Sequence, residues 1–143
     1  MLFRSNDEVS NGLDSTLLVA KHVSLVLDIH HHWVKTGEYI DSRDDRVMQC
    51  IESWRGVRPV LHYSVSREDL LVDHDPTVRP DLDALVARGF KKQQLRAHSD
   101  LMWNTAVNDW ALTFADDFDI QVEAKGKNLA SQQLYERYIS RNI

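Results

Sequence analysis

The stretch Val23-Ser24-Leu25-Val26-Leu27-Asp28-Ile29-His30-His31-His32 decides how the chain is read. Leu25 to Ile29 is apolar at every position but one and partly β-branched. Such a run predicts a strand buried on both faces, as in a parallel sheet. Asp28 falls where that strand ends. In parallel α/β folds the carboxyl ends of the strands face the ligand site. A carboxylate there, with His31 three residues on, offers a divalent ion two ligand types that it accepts. The plain alternative is a polar histidine loop. A cloning tag does not fit an internal run fused to a strand pattern.

The 143 residues are 43% hydrophobic and 27% charged, which reads as one domain spanning 1–143. No run is long enough to span a membrane, and Asp7 and Glu8 interrupt any N-terminal signal pattern. The single cysteine, Cys50, excludes an internal disulfide framework, suits a reducing cytoplasm, and lies in a helical pattern that predicts packing. The net charge of −5 does not advertise a nucleic-acid binder. It does not exclude one, because a carboxylate site filled with divalent cations is less acidic in use.

Outward from the central run, Met1 to Phe3 reads as a strand stub and Arg4 to Glu8 as a polar loop. Gly12 to Lys21 reads as a short helix with Leu13, Leu17 and Leu18 on one face and Asp14 favouring its N-terminus. His32 to Asp41 is expected as a loop. Ser42 is the expected cap of a helix burying Val47, Met48, Ile51 and Trp54 and ending at Gly56. Val57 to Ser64 reads as a strand carrying His62, and Arg67 to Pro80 as an acidic loop. A helix through Leu82, Leu85, Val86 and Phe90 precedes a short strand at Gln94 to His98. A helix at Asn104 to Asp117 presents Val107, Trp110, Ala111 and Phe114. A last strand at Phe118 to Ala124 leads to Glu123, and a helix at Leu129 to Ile139 carries Ala130, Leu134 and Tyr138.

Strands alternating with helices about four times imply an α/β fold with a parallel sheet and right-handed crossovers. Each successive strand end carries a metal-compatible side chain: Asp28 with His31, then His62, His98 and Glu123. Four consecutive strand ends so furnished form a constellation rather than an accident. For His62 and His98 taken singly, a satisfied core or loop histidine remains the open alternative. His30 and His32 read as solvated loop histidines, or as donors to a carboxylate behind a ligand. His22 reads as surface and His74 as loop. Trp33 reads as packing, with stacking on a base as its alternative. Trp54, Trp103 and Trp110 read as core, and Lys91 and Lys92 as solvated charge. Lys125 and Lys127, just past Glu123, are candidate DNA phosphate contacts.

Asn6-Asp7-Glu8, Leu27-Asp28-Ile29-His30-His31-His32, Leu61-His62-Tyr63-Ser64, Ala97-His98-Ser99-Asp100 and Glu123-Ala124-Lys125 stand in the order found in UV damage endonucleases. The chain resembles the C-terminal half of that family's TIM barrel, a partial barrel of about four β/α units. The resemblance implies a metal-dependent DNA repair endonuclease that nicks DNA 5′ to ultraviolet photoproducts. It implies divalent ions, manganese first and zinc or cobalt next, held by Asp28, His31, His62, His98 and Glu123. Its partners would be DNA carrying UV lesions and, since about four β/α units do not close a barrel that typically needs ~250 residues, a second copy completing it.

Two positions depart from the family pattern: Ser5 stands where a glutamate is usual and Val60 where a lysine is usual. With the family's earlier strands absent from the chain, these departures count against activity of the chain alone. A non-catalytic, oligomeric or vestigial half barrel retaining part of the metal site is the alternative. A related barrel acting on a sugar or other small molecule fits the Asp-x-x-His-His and His-Ser-Asp pieces less well.

Overall fold

The structure is a computed structural model that describes residues 2–4 and 12–142. The Asn6-Asp7-Glu8 piece and Ser5 lie outside the described residues. The elements in chain order are β1 (Leu2–Arg4), α1 (Leu13–Leu17), β2 (Ser24–Asp28), α2 (Ile29–Thr36), α3 (Asp45–Glu52), β3 (Val60–Tyr63), α4 (Leu82–Ala87), α5 (Lys92–Arg96), α6 (Thr105–Leu112), β4 (Asp119–Val122) and α7 (Asn128–Arg141). Two compact units result: Met1–Tyr63 with Phe114–Gln121, and Ser64–Thr113 with Val122–Ile143.

In the first unit the strands lie in the order β1-β2-β3-β4. β2 pairs in parallel with β1 through Phe3↔Leu25 and with β3 through Leu27↔Leu61 and Asp28↔His62. Leu25, Leu27 and Leu61 are fully buried, as the continuous apolar run predicts. The α/β expectation is therefore met by a short parallel sheet with helices between its strands.

Helix α3 docks on β2 by hydrogen bonds as well as packing. Ser53 Oγ accepts from Leu25 N at 2.9 Å, and Trp54 Nε1 donates to Leu25 O at 2.7 Å. The buried face of α3 is Val47 and Cys50, with Trp54 just beyond. Met48, on the expected buried face, is 41% exposed, and Ile51 is only half-buried. Burial pushes the Cys50 thiol up to about 12, so it packs and does not react. Asp44, rather than Ser42, caps this helix by accepting from Arg46 N at 2.9 Å. β3 begins at Val60, three residues later than expected, and Val57 is exposed. Arg58 donates to Asp119 Oδ1 at 2.7 Å and to the carbonyls of Ala115, Asp116 and Phe118, which fastens the approach to β4.

Other expected burials also fail at helix edges. Leu18 and Val86 are exposed, as is Tyr138 at 40%, while Leu13, Leu82, Leu85, Ala130 and Leu134 are buried as expected.

The second unit holds α4 to α7 and the acidic loop. Gln94 to His98 is not a strand. Lys92 to Arg96 is helical, started by Gln94, whose side-chain oxygen accepts from Lys91 N at 2.9 Å. The straight-chain residues Lys92, Gln93 and Gln94 favour a helix. Only Leu95 of this segment is buried, too little for a sheet face. α6 buries Val107, Trp110 and Ala111 as the pattern predicts, and Asn104 caps it by accepting from Val107 N at 2.9 Å. Among the described residues no helix is long and apolar enough to cross a membrane.

Trp54→Phe keeps most of the buried ring but leaves the Leu25 carbonyl without the indole donor. It should lower unfolding stability by about 1–2 kcal/mol, read as a fall in the urea midpoint at unchanged slope. An unmoved midpoint would mean that the bond contributes nothing to the docking of α3.

Candidate metal centre

Asp28 is the last residue of β2 and the N-cap of α2, with no linker between strand and helix. Its carboxylate is fully buried. One oxygen accepts from His31 N at 2.9 Å, and the other lies 3.3 Å from His31 Nδ1. The helix N-terminus thus offsets part of the cost of burying the charge. His62 is the registered partner of Asp28 on β3. Neighbours in parallel register project to the same face, with the strands about 4.8 Å apart. The first unit therefore places a carboxylate and an imidazole side by side, with His31 on the adjoining helical turn. Val60, two residues before His62, shares that face by strand alternation, and it supplies only an apolar side chain there.

The histidine run is not the expected loop. Residues 29–36 form α2, closed by Gly37 in a left-handed conformation with φ 78° and its N–H on Trp33 O at 2.7 Å. His30 and His32 are buried, at 4% and 2% exposure, and not solvated. His30 stacks on Trp33, which in turn meets Tyr39, so Trp33 packs rather than awaiting a base. His32 Nε2 lies 2.6 Å from Glu38 Oε1. Burial raises the Glu38 carboxyl, but the hydrogen bonds from His32 and Arg46 outweigh it and hold the group below its usual range.

In the second unit, His98 Nε2 lies 3.6 Å from Glu123 Oε2. His98 reaches this place through an antiparallel bridge to Ser66, not through a strand of its own. Ser99 N donates to Val65 O at 3.0 Å, and Lys125 N donates to Ser99 O at 3.0 Å. These bonds tie the Ala97–Asp100 loop to the segment that follows β4. Gly126 makes the approach feasible, since a Cβ there would stand 2.5 Å from Asp100 O. His98, Glu123, Lys125 and Lys127 line a cavity of about 400 Å³ with Asn128 and Ser131 of the first turn of α7. Lys125 and Lys127 are exposed. A neighbouring cavity of about 430 Å³ is lined by Arg67, Asp69, Ser99, Asp100 and Lys125. Its Ser99 hydroxyl is buried without a hydrogen-bond partner among the described residues.

Helix α7 is fixed by Arg137, which donates to both Asp109 carboxylate oxygens at 2.8 Å. The Arg137 hydrogen bonds hold the Asp109 carboxyl below its usual value, against a smaller opposing effect of burial. His74 sits in its loop, bonded to Val78 O, and His22 is exposed, both as expected. The His32–Glu38 pair was not foreseen. The signal for it was Gly37, which turns the chain back so that residue 38 meets residue 32.

The donor set within each unit mixes carboxylate with imidazole and contains no thiolate. That chemistry suits manganese, zinc, cobalt or iron rather than a soft-metal cluster.

A family model for UV-endonuclease UvdE matches residues 1–142. No curated protein and no solved structure matches the chain.

Gly126→Ala should force the backbone away from Asp100 O and cost about 1–3 kcal/mol in unfolding stability. An unchanged midpoint in denaturant would show that the loop yields freely. Asp109 stabilises the fold where it is ionised and paired, since its folded pKa lies below the unfolded value of 3.8. The stability difference between the native chain and Asp109→Asn should therefore be constant near neutral pH and close as the pH falls below 3.8. A difference that persists in acid would contradict the pairing.

Proposed function

Because the chain belongs to the UV-endonuclease UvdE family, we propose that it hydrolyses one phosphodiester of DNA on the 5′ side of an ultraviolet photoproduct. The observation that carries the reading is the registered pair Asp28 and His62 at the end of a parallel sheet, with Asp28 buried and His31 against it. A buried carboxylate beside imidazoles, at the ligand-facing edge of such a sheet, is poorly explained by packing alone. We propose that Asp28, His31, His62, His98 and Glu123 hold divalent ions, manganese first, on a partial barrel scaffold. Such ions, when bound, supply an activated water at neutral pH and neutralise charge gathering on the phosphorus.

The chain's own residues set the rest. Asp28 and His62 are fixed by the sheet register, so their spacing does not depend on loop motion. Glu123 and His98 are held by loop hydrogen bonds. Lys125 and Lys127, on the cavity rim, can each take a backbone phosphate oxygen and orient the strand without reading its sequence. Val60 favours the second reading, a non-catalytic member that keeps part of the site, because an apolar side chain stands on the His62 face where the family usually carries a lysine.

Supercoiled plasmid irradiated with ultraviolet light separates the readings. With manganese present, the native chain should convert it to the nicked form, and unirradiated plasmid should stay closed. Glu123→Ala should lower the rate at least about a hundredfold, in the range seen when a transition-state contact is removed. Cleavage of an end-labelled duplex with one photoproduct should map 5′ to the lesion. Equal nicking of irradiated and undamaged plasmid, or none at any metal concentration, would overturn the endonuclease reading.

A further inference from the structure

Helix α2 has eight residues, too few to be stable by itself, so contacts with the rest of the unit hold it. Its front end is set by Asp28. Its back end is set by a chain of polar contacts that the catalytic reading does not use. Thr36 Oγ1 donates to His32 O at 2.8 Å, and Glu38 N donates to Thr36 Oγ1 at 3.1 Å. The Glu38 carboxylate then meets the buried His32 ring at 2.6 Å. Arg46 Nη2 donates to both oxygens of Glu38, at 2.8 and 3.0 Å. Arg46 is itself held by Asp44, the cap of α3, at 2.9 and 3.0 Å. The other ring nitrogen of His32, Nδ1, is buried with no hydrogen-bond partner among the described residues. The contact with Glu38 is therefore the polar anchor of that ring, with Nε2–H as the donor in the neutral tautomer.

We propose that Glu38 is a positioning residue for the metal centre: through His32 it fixes the rotation of α2 about its axis, and so the aim of His31 toward Asp28. Consecutive helical residues are about 100° apart, from 3.6 residues per turn. With His32 locked inward, His31 has one azimuth, the one that brings Nδ1 to 3.3 Å from Asp28 Oδ2. With the lock removed, the helix can turn by a fraction of a residue while its apolar face stays buried. Only the geometry of His31 and Asp28 is then lost. Partners that orient metal ligands typically matter at about ten- to a hundredfold in metal affinity. The inference rests on the proposal that Asp28 and His31 bind a divalent ion.

Titration of metal-free protein with manganese(II) chloride tests it without reference to nuclease activity. The native chain should bind with heat or with quenching of the free manganese signal. Glu38→Ala should bind about ten- to a hundredfold more weakly at a temperature where its melting curve shows it fully folded. Glu38→Gln keeps an acceptor for His32 but loses the ion pair with Arg46. It should recover most of the manganese affinity while its melting temperature stays below that of the native chain. A residue that merely stabilised the fold would give the reverse, affinity following melting temperature across the series. Should Glu38→Ala melt below the assay temperature, Arg46→Ala is read instead and should weaken binding by a smaller factor. Native-like manganese affinity in the folded variant overturns the inference alone. Absence of manganese binding by the native chain overturns the metal reading itself, and this inference with it.

Discussion

A buried carboxylate constrains the first unit more than any other group. Asp28 has no exposed surface, so its charge needs compensation from within the protein. The first turn of α2 and the His31 ring contribute to it. That requirement explains why β2 ends at residue 28 and α2 begins at residue 29 with nothing between. A linker would separate the carboxylate from the amides that stabilise it. The same requirement places His31 in the first turn of the helix, and the sheet register places His62 alongside. One junction thus positions Asp28 and His31 together.

In the second unit, His98 and Glu123 are brought together differently. His98 lies on a loop rather than at a strand end, while Glu123 directly follows β4 as expected. Backbone bonds among Val65, Ser99 and Lys125, and the contact that only Gly126 permits, take the place of strand pairing. The Arg137–Asp109 pair then holds α7, whose first turn borders the cavity. Regular structure fixes position through many repeated bonds. Loop structure does it with few, so each bond there carries more of the geometry.

Much of this was legible in the sequence, and the failures have physical causes. Leu25 to Leu27 announced a buried strand because burial on both faces needs an unbroken apolar run, and Asp28 announced its end. Asn104 and the stripe Val107, Trp110, Ala111 predicted α6 because cap and periodicity agree. The histidine run misled because imidazole reads as polar. In α2 those rings are buried by stacking and by a carboxylate six residues on, and neither shows in hydropathy. Asp28 and Gly37, nine residues apart as cap and stop, were the available evidence for a helix. Gln94 to His98 misled because Leu95 and Ala97 alternate like a strand, whereas the glutamine bond to Lys91 N starts a helical turn. The placing of Asp28, His31 and His62 thus followed from local pattern. The approach of His98 to Glu123 depends on Ser66 and Gly126, which no local pattern reveals.

We propose that the Asp28–His62 face is a metal centre and not a satisfied polar core. The most direct measurement is anomalous X-ray scattering at the manganese edge from crystals of the chain grown with manganese. A metal centre there gives a peak within coordinating distance, about 2.0–2.3 Å, of both an Asp28 carboxylate oxygen and a His62 ring nitrogen. A crystal in which that face carries no anomalous peak at saturating manganese, with Asp28 still capping α2, would contradict it.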